Sequence, residues 1–285
     1  MPDMIGDTMR GTASSAVAGS FLDVDGIRTF FVERGDGEAV VLIHDAAPGA
    51  CAQVSWQPNL EPLAKAGFWV IAYDQPGFGH SSLPADHSLE YRVQHAKAFV
   101  DALGLTHYHL IGSSAGAYIA ARLALEDPRV DRLVLVAGAA VARRGSEDAD
   151  ARARAYAATL PETPPTLESV RAMTHRTLHR RDLVTEDLVQ TRFEMSGGVR
   201  YEAQLARRTA ASQRSILDQI PNLRPRTLVL WGKNDESAPI EQTVMLFDLI
   251  PGAELHVFDA CGHWVQWDQS ARFNRLIVDF LQAGT

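Results

Sequence analysis

Cysteine is nearly absent from this 285-residue chain, which carries only Cys51 and Cys261, far apart in sequence. That scarcity excludes a disulfide framework and any paired-cysteine metal knuckle, and it fits a reducing, cytoplasmic home. Long apolar runs are missing as well, and none approaches the roughly 20 residues needed to cross a bilayer. There is no basic stripe: the formal net charge is -8, spread along the chain, which argues against nucleic acid or an anionic membrane as a partner. The first 19 residues mix Gly, Ser, Thr and charge without the apolar stretch of a signal peptide, and read as a flexible leader. The remainder has ordinary globular composition, 46% hydrophobic and 22% charged, with enough apolar material for a large core.

From residue 21 the pattern becomes regular. The stretch FLDVDG, a turn at Asp25-Gly26, and IRTFFVERGDG suggest an antiparallel start to a sheet. Continuous apolar runs follow at 39–44, 68–74, 107–112, 132–138 and 226–232, with a last strand at 254–260; runs of this kind suit strands covered on both faces. Helix-period stretches lie between them at 91–103, 115–125, 240–249 and 271–281, several ending at Gly or followed by Pro. Eight strands alternating with helices predict an α/β architecture with a mostly parallel sheet flanked by helices. Residues 142–215 break the rhythm, being dense in Arg and Ala and punctuated by Pro161, Pro164, Pro165 and Gly197-Gly198. They are expected to form a helical lid inserted after the sixth strand, leaving 20–141 and 216–285 as the core.

Residues 112–116 read Gly-Ser-Ser-Ala-Gly between a buried strand and a small-residue helix. This is G-x-S-x-G in the context that makes it a nucleophile elbow, a turn too sharp for side chains on its flanks. Only Ser114 has glycine at both −2 and +2. A serine hydroxyl needs a base, and the base an orienting acid. Of the later histidines, His175 and His179 fall in the expected lid, and His256 lies mid-strand as a satisfied structural residue. His263 follows the last strand, after Gly262, where a loop can swing an imidazole over the serine. The acid is expected after the penultimate core strand, where Asp235 stands between the uncharged Asn234 and the out-of-register Glu236. An oxyanion hole would take its donors from the backbone N–H of Ala115 and from the loop after the third strand, at Ala46.

With these residues assigned, the chain resembles the meta-cleavage-product hydrolases, carbon–carbon bond hydrolases of the α/β-hydrolase fold that serve aromatic and steroid ring degradation. The resemblance runs over nearly the whole length after the leader. It is most specific in CGHWVQW and FNRLIVDFL near the C-terminus, with support from Pro48-Gly49-Ala50 and the DQPGFGHS segment at 74–81. It implies a substrate of the 2-hydroxy-6-oxo-hexa-2,4-dienoate type, a vinylogous 1,5-diketone, whose C5–C6 bond is hydrolysed after ketonisation. Ser114 would be nucleophile, His263 base and proton shuttle, and Asp235 its orienting acid. Arg192, within LVQTRFEMS, would face the substrate's carboxylate and dienolate oxygens, a task suited to paired guanidinium donors, and Trp264 would flank the substrate. No metal or organic cofactor is implied, and the family suggests a homodimer acting on a small molecule.

Three places in the chain depart from the family's pattern. Asp45-Ala46-Ala47 stand where glycines are usual, and a carboxylate near a developing oxyanion opposes it unless turned away. The simpler reading has Asp45 facing solvent or capping a local turn; the sharper one has it contacting an unusual substrate group or acting as an extra acid. Ser113 stands where an asparagine is common, beside the substrate's oxygenated end. Ser237 and Ala238 replace residues that are often larger and apolar, suggesting a pocket of altered polarity. These departures leave open an ester or lactone hydrolase with the same triad, or a non-hydrolytic cyclase.

Overall fold

The structure, a computed structural model, describes residues 18–141, 163–210, 215–238 and 240–283. Eight strands form one sheet in the order β1-β2-β4-β3-β5-β6-β7-β8: β1 (Ser20–Val24), β2 (Ile27–Arg34), β3 (Glu38–Ile43), β4 (Phe68–Tyr73), β5 (Tyr108–Ser113), β6 (Val130–Val136), β7 (Arg226–Gly232) and β8 (Glu254–Phe258). Pairings β1–β2 and β2–β4 are antiparallel, and every other pairing is parallel. The turn between β1 and β2 places Asp25 (φ 51°) and Gly26 (φ 81°) in the left-handed region, the signature of a tight hairpin.

Side chains alternate across β3 as the strand period of two requires. Val41 and Ile43 enter one core with Phe99, Tyr118 and Leu246. Val40 and Leu42 enter the other with Trp56, Leu63, Phe273 and Ile277. The first face is therefore covered by α2 (Leu89–Ala102), α3 (Ala115–Glu126) and α7 (Glu241–Leu249), the second by α1 (Ala52–Lys65) and α9 (Ser270–Gln282). The chain leaves β3 outward through α1 to β4 and returns on the other face through α2 to β5. Strand order reverses there, and a crevice opens at the carboxyl ends of such strands.

All eight expected strands are present. The helix α1 was not expected, because Pro58 and Pro62 lie inside it and proline normally breaks a helix interior. Packing decides otherwise: Trp56, Leu60 and Leu63 are buried against the sheet. The short α8 (Val265–Asp268) was also missed.

Between β6 and β7 lie α4 (Leu167–Thr177), α5 (Glu186–Glu194) and α6 (Val199–Thr209). Residues 142–162 and 211–214 of the expected lid, and 1–17 of the expected leader, lie outside the described residues. The inserted helices dock through a small apolar cluster in which Leu178 and Leu188 meet Cys51, Val54 and Trp264.

Candidate active site

Because β3, β5, β7 and β8 run parallel, the loops that follow them emerge at one edge of the sheet. Ser114 sits between β5 and α3 with φ 55° and ψ −115°, a conformation that costs a non-glycine residue about 1–3 kcal/mol. Its flanking glycines allow that geometry. A Cβ on Gly112 would lie 2.3 Å from the Gly116 carbonyl oxygen, and one on Gly116 would lie 2.3 Å from that of Ile43. Without those Cβ atoms α3 starts directly against the end of β3, and the partly exposed serine stands above the edge. The Ser114 side chain does not cap α3, so the first helical amides, beginning at Ala115, face outward where negative charge is favoured.

His263 Nδ1 and Asp235 Oδ2 are 2.7 Å apart. The other Asp235 oxygen accepts from the backbone N–H groups of Ser237 (2.8 Å) and Ala238 (3.0 Å). A carboxylate so held makes Nδ1 the donor and Nε2 the acceptor, the tautomer a base needs. Burial alone would lower the His263 pKa. The charge of Asp235, their hydrogen bond and the charge of Asp45 outweigh it and hold the imidazole above its ordinary value of 6.5.

The backbone beside His263 is clamped to the inserted helices. Thr177 O accepts from His263 N (3.0 Å) and Trp264 N (3.3 Å). Asp268 Oδ2 accepts from Gly262 N at 2.7 Å and His179 N at 2.9 Å, and its Oδ1 from Arg180 N at 2.9 Å. Sequence reasoning missed both residues. Asp268 left one signal, a carboxylate in the otherwise apolar and amide-rich run after His263.

The expectation that Asp45 faces solvent is corrected: it is 2% exposed. The turn-capping half of that reading holds, since Oδ1 accepts from Ala47 N at 2.8 Å. Its Oδ2 accepts from Ser55 Oγ (3.2 Å) and Trp264 Nε1 (3.1 Å). Both carboxylate oxygens are thus engaged by protein donors. Beneath this loop, Gln75 N–H donates to His44 Nε2 at 3.0 Å, so His44 Nδ1 carries the proton and donates to Asp45 O at 2.6 Å. Burial brings the His44 pKa down to about 4, which keeps this brace neutral.

Arg192 and Trp264 meet, the guanidinium carbon lying 4.6 Å from the ring centroid. Arg192 is fully buried and donates to Thr174 Oγ1 (3.0 Å) and, at a longer 3.3 Å, to Pro48 O. The close approach needs Gly49, where a Cβ would lie 2.3 Å from Arg192 O. Ser113 is fully buried, and its Oγ has no hydrogen-bond partner. Ala238 is packed into the core rather than facing open space, and its carbonyl accepts from Trp231 Nε1 at 3.0 Å. His256 packs against Phe258 with ring centroids 4.3 Å apart and planes inclined at 50°, and its Nε2 is buried without a partner, so the expected satisfied role is not met. Among the described residues, Glu38, His109 and Asp131 bring potential metal-ligating atoms within 4.8 Å of one another. They stand at the starts of β3, β5 and β6, the opposite edge of the sheet from Ser114.

An alternating parallel sheet, a strained serine at a strand-to-helix elbow and a carboxylate-held histidine after the last strand define a class. Residues 39–270 match the family model of the alpha/beta hydrolase fold, and the chain belongs to that family. Its relatives narrow the placement to the meta-cleavage-product hydrolases. A 2-hydroxy-6-oxononadienedioate/2-hydroxy-6-oxononatrienedioate hydrolase of Pseudomonas putida is 32% identical, over 90% of this chain and 92% of that protein. A 2-hydroxy-6-oxo-6-phenylhexa-2,4-dienoate hydrolase of Comamonas testosteroni is 31% identical, over 95% and 97%. The solved structure of a meta-cleavage product hydrolase from Pseudomonas fluorescens IP01 superposes with a TM-score of 0.79 at 31% identity, covering 92% of this chain and 97% of that one. No helix among the described residues is long and apolar enough to cross a membrane.

Proposed function

We propose that this protein is a serine-dependent hydrolase of a carbon–carbon bond in a 2-hydroxy-6-oxo-hexa-2,4-dienoate-type ring-cleavage product. The observation that carries the reading is the Asp235–His263 pair, 2.7 Å apart, at the same sheet edge as a serine held at positive φ. The substrates named for relatives that match over nine-tenths of the chain support it.

In this reading the dienol is first converted to its keto tautomer, with a proton placed on C5. His263 Nε2 then removes the Ser114 hydroxyl proton, and Oγ attacks the C6 carbonyl. The negative oxygen that develops is met by the N–H groups of Ala115 and Ala46. Ala47 is the less suitable donor, because its N–H is already given to Asp45. The C5–C6 bond breaks with its electrons passing into the carbonyl-conjugated fragment, and the proton taken up by His263 passes to the resulting enolate oxygen, so that the fragment leaves as a 2-hydroxypentadienoate and the imidazole is neutral again. Water, deprotonated by His263, then releases the acyl group from Ser114 as a carboxylic acid.

Arg192 takes the substrate's carboxylate and dienolate oxygens by exchanging its long bond to Pro48 O for a charge-assisted one. Trp264 holds the guanidinium from behind, and the unpartnered Ser113 Oγ offers a hydroxyl to the oxygenated end of the substrate. The segment 142–215 acts as a lid. The two cysteines are free and buried, which suits a cytoplasmic enzyme, and a homodimer is the proposed assembly. The arginine beside the base favours the carbon–carbon reading over simple ester cleavage, which has no dienolate to stabilise.

The test follows the visible absorbance of 6-phenyl and 6-alkyl 2-hydroxy-6-oxo-hexadienoates. Rapid bleaching with stoichiometric acid product, lost in Ser114→Ala, is expected. Persistence of both dienoates beside turnover of simple esters or lactones would replace this reading.

A further inference from the structure

Two arginines outside the triad share one aromatic ring, and among the described residues no carboxylate bonds to either. Arg92, on α2, and Arg207, on α6, place their guanidinium carbons 5.6 Å and 3.8 Å from the centroid of Phe78. Arg92 is 6% exposed; its Nη1 donates to Gln75 Oε1 at 3.1 Å, while its Nε is buried with no partner. Arg207, partly buried, donates only a long 3.3 Å bond to Gly77 O. Among the described residues neither forms an ion pair, whereas the buried Arg122 and the partly buried Arg129 are both matched by carboxylates.

Buried cations without a counter-charge are costly, and two facing one ring repel as well. Burial draws Arg92 down to about 10, and burial followed by repulsion from Arg92 draws Arg207 down to about 9. Both remain charged at neutral pH and lack an anion. Beside Arg92, the Tyr73 hydroxyl is buried without a partner and burial keeps it protonated, so it brings no negative charge. At the nearby His87, burial and then Arg207 lower the pKa, the charge of Asp86 raises it and Arg92 lowers it again; the Asp86 carboxylate is bonded to Ser88 N and Oγ rather than to either arginine.

We propose that Arg92 and Arg207 form an anion site that takes a carboxylate, borne either on the distal end of the substrate's acyl side chain or by a free small dicarboxylate. The site lies between the inserted helix α6, the loop after β4 and α2. It connects to the reaction centre by a short relay. Arg92 bonds Gln75, Gln75 Nε2 donates to His44 O at 2.6 Å, and His44 braces the loop that carries Asp45 and Ala46. Planar paired donors suit a carboxylate, and a carboxylate seated there would hold α6 against the core.

The substrate arm rests on the proposed carbon–carbon hydrolysis; the binding arm does not. The two probes are 2-hydroxy-6-oxo-nona-2,4-dienedioate and its equal-length analogue with a neutral tail. Free succinate is followed separately by thermal denaturation at matched ionic strength, for the wild type, Arg207→Gln and Arg207→Lys. If the carboxylate is the substrate's own, kcat/KM favours the dienedioate. Arg207→Gln then lowers it for that substrate alone by about tenfold or more, and Arg207→Lys restores part of it. If the carboxylate is a free effector, succinate raises the Tm of the wild type and not of Arg207→Gln, while the two dienoates react alike. Equal dienoate rates with no succinate-dependent shift overturn the site. Failure to turn over either dienoate overturns the hydrolase reading instead, and the succinate shift then decides the site alone.

Discussion

Asp45 Oδ2 accepts a hydrogen bond from Trp264 Nε1 at 3.1 Å, joining the loop after β3 to the residue next to the candidate base. The same carboxylate contributes, after Asp235, to holding the His263 pKa up. An acid that first looks hostile to an oxyanion is therefore a buried strut with an electrostatic effect on the histidine. Asp45→Asn keeps the shape and removes the charge. A base acting as neutral imidazole, the role proposed for His263, shows its pKa as the acid-side inflection of kcat/KM, and Asp45→Asn is expected to move that inflection to lower pH. An inflection that stays put would deny Asp45 any hold on the base. Asp45→Leu additionally strands the Ala47, Ser55 and Trp264 donors, at about 1–3 kcal/mol each, and is expected to show a lowered Tm.

Asp235→Asn tests the main support of the base. Turnover should fall by about 10⁴, the scale seen when a triad acid loses its charge. With both Asp235 contributions gone, burial dominates and the inflection drops. Stability follows by linkage. A histidine whose folded pKa is raised contributes stability that is fully present below its unfolded value of 6.5 and is lost as pH rises through the folded value. The Tm gap between wild type and Asp235→Asn should therefore be widest in mild acid and narrow toward alkaline pH. A gap that grows with pH would reverse the assigned shift.

Much of this was legible in the sequence, for physical reasons. Continuous apolar runs mark strands buried on both faces, and all eight were placed within a few residues. Gly112 and Gly116 reveal the elbow because a Cβ at either cannot be accommodated. Chain order then selects Asp235 and His263. What stayed hidden depends on distant partners. The helix α1 carries two prolines that local propensity reads as breakers, and only its burial against β2, β4 and α9 makes it a helix. Asp45 looked like a loop carboxylate because its partners, Ser55 and Trp264, stand 10 and 219 residues away. Thr177 acts through its carbonyl oxygen, which side-chain chemistry does not advertise.

Ser114 carries backbone strain that glycine would relieve. Its φ of 55° with ψ of −115° lies where only residues without a Cβ are comfortable. Ser114→Gly and Ser114→Ala both remove the proposed nucleophile, and both are expected to be inactive. They differ in strain, so Ser114→Gly should be more stable than Ser114→Ala by about 1 kcal/mol or more, read as a Tm higher by about 2–4 °C. Equal melting temperatures would mean that the elbow is not strained.

Arg192 separates bracing from substrate binding. Its guanidinium stacks on Trp264 and bonds Thr174 Oγ1 and Pro48 O, so a purely structural role would already account for its burial. Arg192→Met retains much of the volume and a favourable contact with the indole while removing the charge. If Arg192 grips the carboxylate and dienolate oxygens, the variant should raise KM for the dienoate by about tenfold or more, the scale of a lost charge-assisted bond. The drop in kcat should be larger with a 2-hydroxy-6-oxo-dienoate than with a simple aryl ester, because only the dienoate develops charge at the oxygens facing the guanidinium. Arg192→Lys, a point charge without the paired donors, should fall between. A lowered Tm with unchanged KM, and equal losses on both substrates, would make Arg192 a brace between the inserted helices and the Pro48 loop and nothing more.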